Sequence, residues 1–247
     1  MEETFYEEYA RIQHDHWWFV GHRRIIASLL EHRLGSDRSS DRQILDVGCG
    51  TGTNLEELGR FGIVKGVDVE PEAVRLCRRA GWDVEHVPAG RLPFEDDSFD
   101  LVTMLDVIEH VDDDQKLLRE ATRLLAPGGL VLVMVPASPW MWGAQDEIAH
   151  HYRRYTRRRL LESLEHADLE PSGSSYFNTL LFPPIAAIRL LRRLSPGREE
   201  VRSDFELNQP GAMNRLLARV FSFEARLLPR VEMPFGVSVV AFGARVV

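Results

Sequence analysis

The stretch Ile44-Leu45-Asp46-Val47-Gly48-Cys49-Gly50-Thr51-Gly52-Thr53-Asn54, with Gly66-Val67-Asp68-Val69 behind it, decides the fold. An apolar run, three alternate glycines and the opening of a helix lead to a second apolar run that ends in an acid. The order is strand, turn, helix, strand, and Asp68 stands 20 positions after Gly48. That is the layout of a nucleoside-binding βαβ unit. Glycine lets the backbone pass close beneath a ligand where a Cβ would collide. A carboxylate at the tip of the second strand can accept from both ribose hydroxyls. A dinucleotide fingerprint wants a glycine at position 53, where this chain has Thr53, and no Lys or Arg lies between Asp46 and Arg60 to neutralise a phosphate. The pattern points to a nucleoside cofactor that lacks phosphate and carries positive charge.

Working outward, strands are expected near 43–47, 63–68, 83–87, 100–105 and 130–135, alternating with helices near 53–60, 71–80 and 113–125. Such alternation means a parallel sheet with helices on both faces. The segment 137–155 reads as irregular, and Thr156 as the N-cap of a helix over 157–167. A sixth strand is expected at 170–177 and a last at 235–246. Between these two strands lie about sixty residues with two helical patterns, 178–194 and 211–228. Before the core, residues 5–34 read as one or two amphipathic helices with Trp17, Trp18, Phe19, Ile25, Ile26, Leu29 and Leu30 on the apolar side. The chain is therefore read as one domain: a helical lid at 1–41, a cofactor-binding core at 42–136, an active-site segment, helix and sixth strand at 137–176, a helical insertion at 177–234 and a last strand at 235–247.

A chain of 247 residues supports one sizeable α/β core. Its net charge of −8 is uneven: residues 1–150 carry 15 basic and 28 acidic side chains, residues 151–247 carry 15 and 10. The acidic part holds the glycine turn, which suits a cationic ligand, and the overall balance argues against nucleic acid as the partner. Cys49 and Cys77 offer neither zinc spacing nor a disulfide framework. The N-terminus lacks a basic, then apolar leader, and no run reaches the ~18 apolar residues of a membrane span. A cytoplasmic location is the expectation.

Several separate landmarks appear in order from Ile44 to Pro136. They are the glycine motif, Val67-Asp68-Val69, Leu92-Pro93-Phe94-Glu95-Asp96-Asp97-Ser98-Phe99-Asp100, Leu105-Asp106-Val107-Ile108-Glu109-His110-Val111 and Leu125-Ala126-Pro127-Gly128-Gly129. Together they resemble the class I S-adenosylmethionine-dependent methyltransferases, in particular the small-molecule group that includes the quinone-biosynthesis enzymes. The resemblance implies a Rossmann-like seven-stranded, mostly parallel sheet whose last strand is antiparallel near the sheet edge, with S-adenosyl-L-methionine as cofactor. It assigns the cofactor to Asp46, Gly48, Cys49, Gly50, Gly52, Asp68, Val69, Ala89, Gly90 and Leu105. One departure stands out: relatives place an Asp about four residues before Leu-Pro-Phe, where this chain has Pro88-Ala89-Gly90. Adenine would then be held by backbone groups around Ala89 and by apolar contacts.

Methyl transfer asks the protein mainly to align nucleophile, methyl and sulfur and to exclude water, with a base where the nucleophile carries a proton. His110, at the carboxyl edge of the fourth strand, is one candidate; His150 and Tyr155 are the others. Trp18, Trp142, Asp146 and His151 are the candidates for acceptor contact. Asp106, Glu109 and His110 offer oxygen and imidazole donors of the kind that hold Mg²⁺, Mn²⁺ or Zn²⁺. Three ligands so close in sequence seldom converge unaided, and no metal is assigned. The apolar run Leu180–Ile188, followed by Arg189, Arg192 and Arg193, suits a cap over a lipophilic acceptor, a peripheral membrane contact through 177–230, or a dimer face. Expected, then, is methylation, with oxygen as the first choice, of a small lipophilic or conjugated acceptor by a monomer or homodimer. Two rivals stand beside it: a cofactor-binding regulatory or assembly module without turnover, and a nicotinamide-dependent oxidoreductase.

Overall fold

The computed structural model describes residue 10 and residues 12–35, 41–88, 90–194 and 211–246, with side chains to residue 191 in the segment before the last gap. The start of the N-terminal helical pattern, the linker at 36–40, Ala89 and the polar segment 195–210 lie outside the described residues.

Seven strands form one sheet: β1 (Gln43–Val47), β2 (Ile63–Asp68), β3 (Val84–His86), β4 (Phe99–Leu105), β5 (Leu125–Pro136), β6 (Leu169–Phe177) and β7 (Ser238–Arg245). Their spatial order is β3-β2-β1-β4-β5-β7-β6. The first five pair in parallel, and β7 runs antiparallel to both β5 and β6. The last strand is thus one place inside the edge, sheltered by β6. β5 begins five residues earlier than its apolar pattern suggests, because Leu125 already pairs with Phe99 before the ladder shifts register.

Alternation along the strands sorts the core into two layers. Leu45, Val47, Val102, Met104, Val131, Val133 and Val239 face one side, packing with Leu118, Ala121 and Leu124 of α4 (Asp114–Leu124) and Leu160 and Leu164 of α6 (Arg157–Glu165). Ile44, Leu101, Leu105, Leu132, Met134 and Val240 face the other, where they meet Ile25, Ile26, Leu29 and Leu30 of α1 (Trp17–Leu34) and Phe221 of α8 (Ala212–Phe223). The remaining helices are α2 (Leu55–Leu58), α3 (Pro71–Arg79), α5 (Ala144–Ile148) and α7 (Phe182–Leu194).

The segment read as an insertion divides into two roles. α8 is a core element pressed on α1: a Cβ at Gly21 would lie 2.2 Å from the Phe221 ring, so only glycine permits that approach. Asn214 ties the pair, its Oδ1 accepting from the Trp17 N–H and its Nδ2 donating to the Asp15 carbonyl, both at 2.8 Å. α7 instead leans over the carboxyl edge of the sheet. Among the described residues no helix is long and apolar enough to cross a membrane.

Candidate active site

The carboxyl ends of β1, β4, β5 and β6 and the start of antiparallel β7 surround a cavity of about 470 Å³. Open α/β sheets bind ligands at this edge, where the order of strands reverses. The β1 end is built from backbone. Gly48 and Cys49 N–H groups both donate to the Val67 carbonyl, at 2.8 and 3.0 Å. Gly48 and Gly50 have φ of +71° and +53°, a region side chains avoid. A Cβ on Gly48 would strike Val107 Cγ2 at 2.6 Å, whereas one on Gly50 would meet no protein atom within 4 Å. Gly50 lines the cavity, so its bare backbone is a cradle that a side chain would fill.

Asp68 sits at the tip of β2, accepting from Gly50 N–H at 2.7 Å and Glu70 N–H at 2.9 Å. Burial pushes its carboxyl up and those N–H groups hold it back. Asp46 is buried beneath the loop and accepts from Thr103 Oγ1 at 2.6 Å. Its other oxygen has no partner among the described residues, and burial raises its pKa to about 7. From the N-terminal side Gln13 Oε1 accepts from the Thr51 and Thr53 hydroxyls, the latter at 2.8 Å, latching residues 12–15 to the loop. These features fit a phosphate-free nucleoside with a positive charge. The loop presents bare backbone and neutral side chains, with Asp46 buried beneath it and Asp68 beside it at the tip of β2, neither of them in the cavity lining.

The opposite wall is apolar with a polar core. Trp17, Trp18, Phe19, Ile185 and Ile188 line it together with His22, Asp106, Glu109, His110, His151, Arg154 and Asn178. Trp18 stacks on His22 at 4.6 Å. His22 Nε2 lies 3.3 Å from Asp106 Oδ2, and burial takes the imidazole down to about 3 and the carboxyl up to about 7. This contact therefore joins a neutral imidazole to a carboxyl that titrates near neutral pH. Glu109 is fully buried, and neither of its carboxylate oxygens has a hydrogen-bond partner among the described residues. Burial and the neighbouring Asp106 push its pKa well up.

His110 and His151 meet edge to face, 4.6 Å between ring centres. Burial and the His151 ring take His110 down to about 4, leaving its imidazole neutral near pH 7. The Tyr152 N–H donates to the Glu109 carbonyl at 2.7 Å, which brings together two residues 43 positions apart. Ligating atoms of Glu109, His110 and His151 lie within 4.8 Å of one another. They could hold a divalent cation, with His151 in the place that the sequence offers to Asp106.

Asp146 organises this wall from behind. Fully buried, it accepts from His151 Nδ1 at 2.9 Å, Arg154 Nε at 2.6 Å and Gly143 N–H at 2.9 Å. Those donors hold its carboxyl well below the usual range. With Nδ1 engaged, His151 presents Nε2 toward the cavity. Arg189 of α7 also reaches Asp146, at 3.4 Å, and the Met141 carbonyl.

Of the residues singled out by sequence, Gly48, Cys49, Gly50, Leu105, His110, His151 and Trp18 line the cavity. Others take different places. Tyr155 is fully buried in the core, its hydroxyl donating to Asp114 Oδ2 at 2.6 Å, which makes it a structural residue rather than a proton acceptor. His150 is exposed at the end of α5 with φ of +55° and lies off the cavity. His151, held by Asp146, is the one of the two that lines the cavity. Trp142 lies outside the lining, and Asp146 acts through His151 and Arg154. Gly52 packs toward Cys77, where a Cβ would come within 2.9 Å of Sγ. Val69 and Gly90 are exposed beside the loop. Asn178, Gln13 and His22 were not singled out; of these only Asn178, a polar residue just past a strand's carboxyl end, carried a readable signal.

Residues 45–133 match the sequence profile of the family described as "Methyltransferase domain". A demethylmenaquinone methyltransferase of Tropheryma whipplei (strain Twist) is 29% identical over 170 residues, covering 67% of this chain and 64% of that protein. A ubiquinone biosynthesis O-methyltransferase of Xanthomonas oryzae pv. oryzae (strain PXO99A) is 37% identical over 95 residues, covering 35% of this chain and 40% of that protein. This chain thus spans less than two thirds of the length of these relatives. Among solved structures, the geranyl diphosphate C-methyltransferase of Streptomyces coelicolor A3(2), in complex with Mg²⁺, geranyl diphosphate and S-adenosyl-L-homocysteine, shares the fold. Its TM-score is 0.58 at 19% identity, covering 88% of this chain and 77% of that one.

Proposed function

We propose that the protein is a class I S-adenosylmethionine-dependent methyltransferase, a reading supported by the match of residues 45–133 to a methyltransferase domain, and that it transfers the methyl group to an oxygen of a small, lipophilic or conjugated acceptor. The observation that carries this reading is one cavity that joins the bare glycine cradle to a wall of Trp17, Trp18, Phe19, Ile185 and Ile188 containing neutral His110. S-adenosyl-L-methionine supplies an electrophilic methyl on a positively charged sulfur.

The residues do the rest. Gly48 and Gly50 bring backbone close under the nucleoside, and Asp68 offers its carboxylate at the ribose end. The aromatic turn at 17–19 and α7 exclude water, so that reacting atoms are held without a competing nucleophile. His110, or His151 steadied by Asp146, accepts the acceptor's hydroxyl proton at a ring nitrogen. Exposed Leu190 and Leu191 on α7 form the face by which a peripheral membrane contact or a second copy would be met.

The test is a calorimetric titration with S-adenosylmethionine, S-adenosylhomocysteine and NAD in parallel, followed by a methylation screen of phenols and quinols. Micromolar binding of the first two ligands, none of NAD, and methyl ether formation on a phenol are expected. Binding of NAD alone sinks the reading, and methylation confined to amines or carbon acids moves the acceptor atom away from oxygen.

A further inference from the structure

Asn178 is the first residue past β6, and it is 1% exposed. It lines the cavity, and neither its side-chain carbonyl nor its amide nitrogen has a hydrogen-bond partner among the described residues. A buried amide left in this state is destabilising until something satisfies it. Its backbone is left-handed, φ +57°, where asparagine commonly hydrogen-bonds its own neighbourhood. Here the loop is held by other groups, so the Asn178 side chain is spared for something else. Glu224, fully buried beneath the loop, accepts from Leu180 N–H at 2.7 Å. The N–H groups of Thr179 and Asn178 also restrain its carboxyl, which burial pushes up. Thr179 Oγ1 donates to the Phe235 carbonyl at 2.6 Å.

Position in the sheet says which ligand the amide meets. The glycine cradle follows β1, and four strand steps separate β1 from β6 in the order β1-β4-β5-β7-β6, roughly 19 Å at about 4.8 Å per step. Asn178 is on the acceptor side. Glu109, whose two carboxylate oxygens also lack hydrogen-bond partners among the described residues, enters the same cavity after β4.

We propose that Asn178 is an acceptor-reading residue: its amide hydrogen-bonds a hydroxyl or carbonyl of the acceptor other than the group that is methylated, so the acceptor carries at least two polar functions on a flat apolar frame. This rests on the methyltransferase reading. An acceptor with the second group satisfies a buried amide that a plain hydrocarbon leaves bare. Sites of this kind discriminate strongly against analogues lacking the hydrogen-bonding group.

The test uses the full chain loaded with S-adenosylhomocysteine and titrated calorimetrically with catechol, phenol and toluene. Asn178→Gly removes the amide while keeping the left-handed backbone without strain, and Asn178→Asp keeps one acceptor oxygen; thermal melting checks that both fold. Catechol is expected to bind the wild type better than phenol, and phenol better than toluene. In Asn178→Gly the advantage of catechol over toluene should fall at least about fivefold, while affinity for S-adenosylhomocysteine stays within about twofold. Asn178→Asp should fall between. A loss of S-adenosylhomocysteine affinity of about tenfold or more would overturn the inference by placing Asn178 on the cofactor. It is also overturned if catechol and toluene behave alike on the wild type, whether both bind or neither does, or if catechol is indifferent to Asn178→Gly, since the amide then holds water only. No S-adenosylhomocysteine binding by the wild type would remove the methyltransferase reading and this inference with it, a result separable from the others because it precedes any variant.

Discussion

The glycine loop after β1 and the wall formed by residues 106–110, 145–154 and 178 share one edge of one sheet, yet they are built in opposite ways. The loop is made of backbone from a short stretch of chain, with Gly48, Cys49 and Gly50 N–H groups already engaged by Val67 and Asp68. The wall is made of side chains from distant segments, and two of its buried polar groups, Glu109 and Asn178, lack partners among the described residues. A ligand at the loop replaces little that exists. A ligand at the wall supplies hydrogen bonds the protein itself does not make.

The largest effect should come from the wall. Asp146→Ala leaves Arg154 buried without its carboxylate and frees His151 Nδ1, and breaking such a buried pair costs about 3–5 kcal/mol. Chemical unfolding is the measurement; a change below about 1 kcal/mol would mean that Asp146 is not the wall's keystone.

Gly48→Ala breaks the other half. At φ +71° with Val107 Cγ2 2.6 Å from the new Cβ, it combines about 1–2 kcal/mol of backbone strain with overpacking of about 1–3 kcal/mol. Its distinguishing mark is calorimetric: cofactor affinity should fall by about tenfold or more, whereas Asp146→Ala should leave it nearly intact. Equal loss in both variants would erase the division between the halves.

The smallest effect lies beneath the loop and depends on pH. Asp46 is ionised in the unfolded chain above its ordinary value of 3.8 but stays protonated in the folded one up to about 7. In that window the folded state binds more protons, so this group's contribution is present at low pH and is lost as pH rises through about 7. Neutral His22 and His110 act with the opposite sign below about 6.5, so the difference between wild type and Asp46→Asn is the quantity to follow. The variant should gain on the order of 2 kcal/mol relative to wild type between pH 5 and pH 7. A pH-independent difference would show that Asp46 titrates normally.

Much of the sheet was readable because each strand states its two faces by alternation, and the cofactor loop because its glycines and acid are close in sequence. The limits of that reading appear at particular residues. Tyr155 has the chemistry of a proton acceptor, but its hydroxyl is consumed by Asp114, 41 positions away. His150 and His151 are indistinguishable in sequence, and only the Asp146 bond turns one inward. The apolar segments 178–194 and 211–228 look alike, yet α8 is locked into the core by the Gly21–Phe221 contact while α7 roofs the cavity.

By itself the sequence determined the doubly wound sheet, the position of the cofactor loop and the absence of a phosphate-binding cation there. All of these follow from local periodicity, from backbone conformations open only to glycine, and from charges a few residues apart. The tertiary structure alone decided which of the adjacent histidines 150 and 151 lines the cavity, which carboxylate stands behind it and that the Asn178 amide has no hydrogen-bond partner among the described residues. Those outcomes depend on burial and on hydrogen-bond partners brought together from the ends of different strands, and no spacing along the chain encodes them.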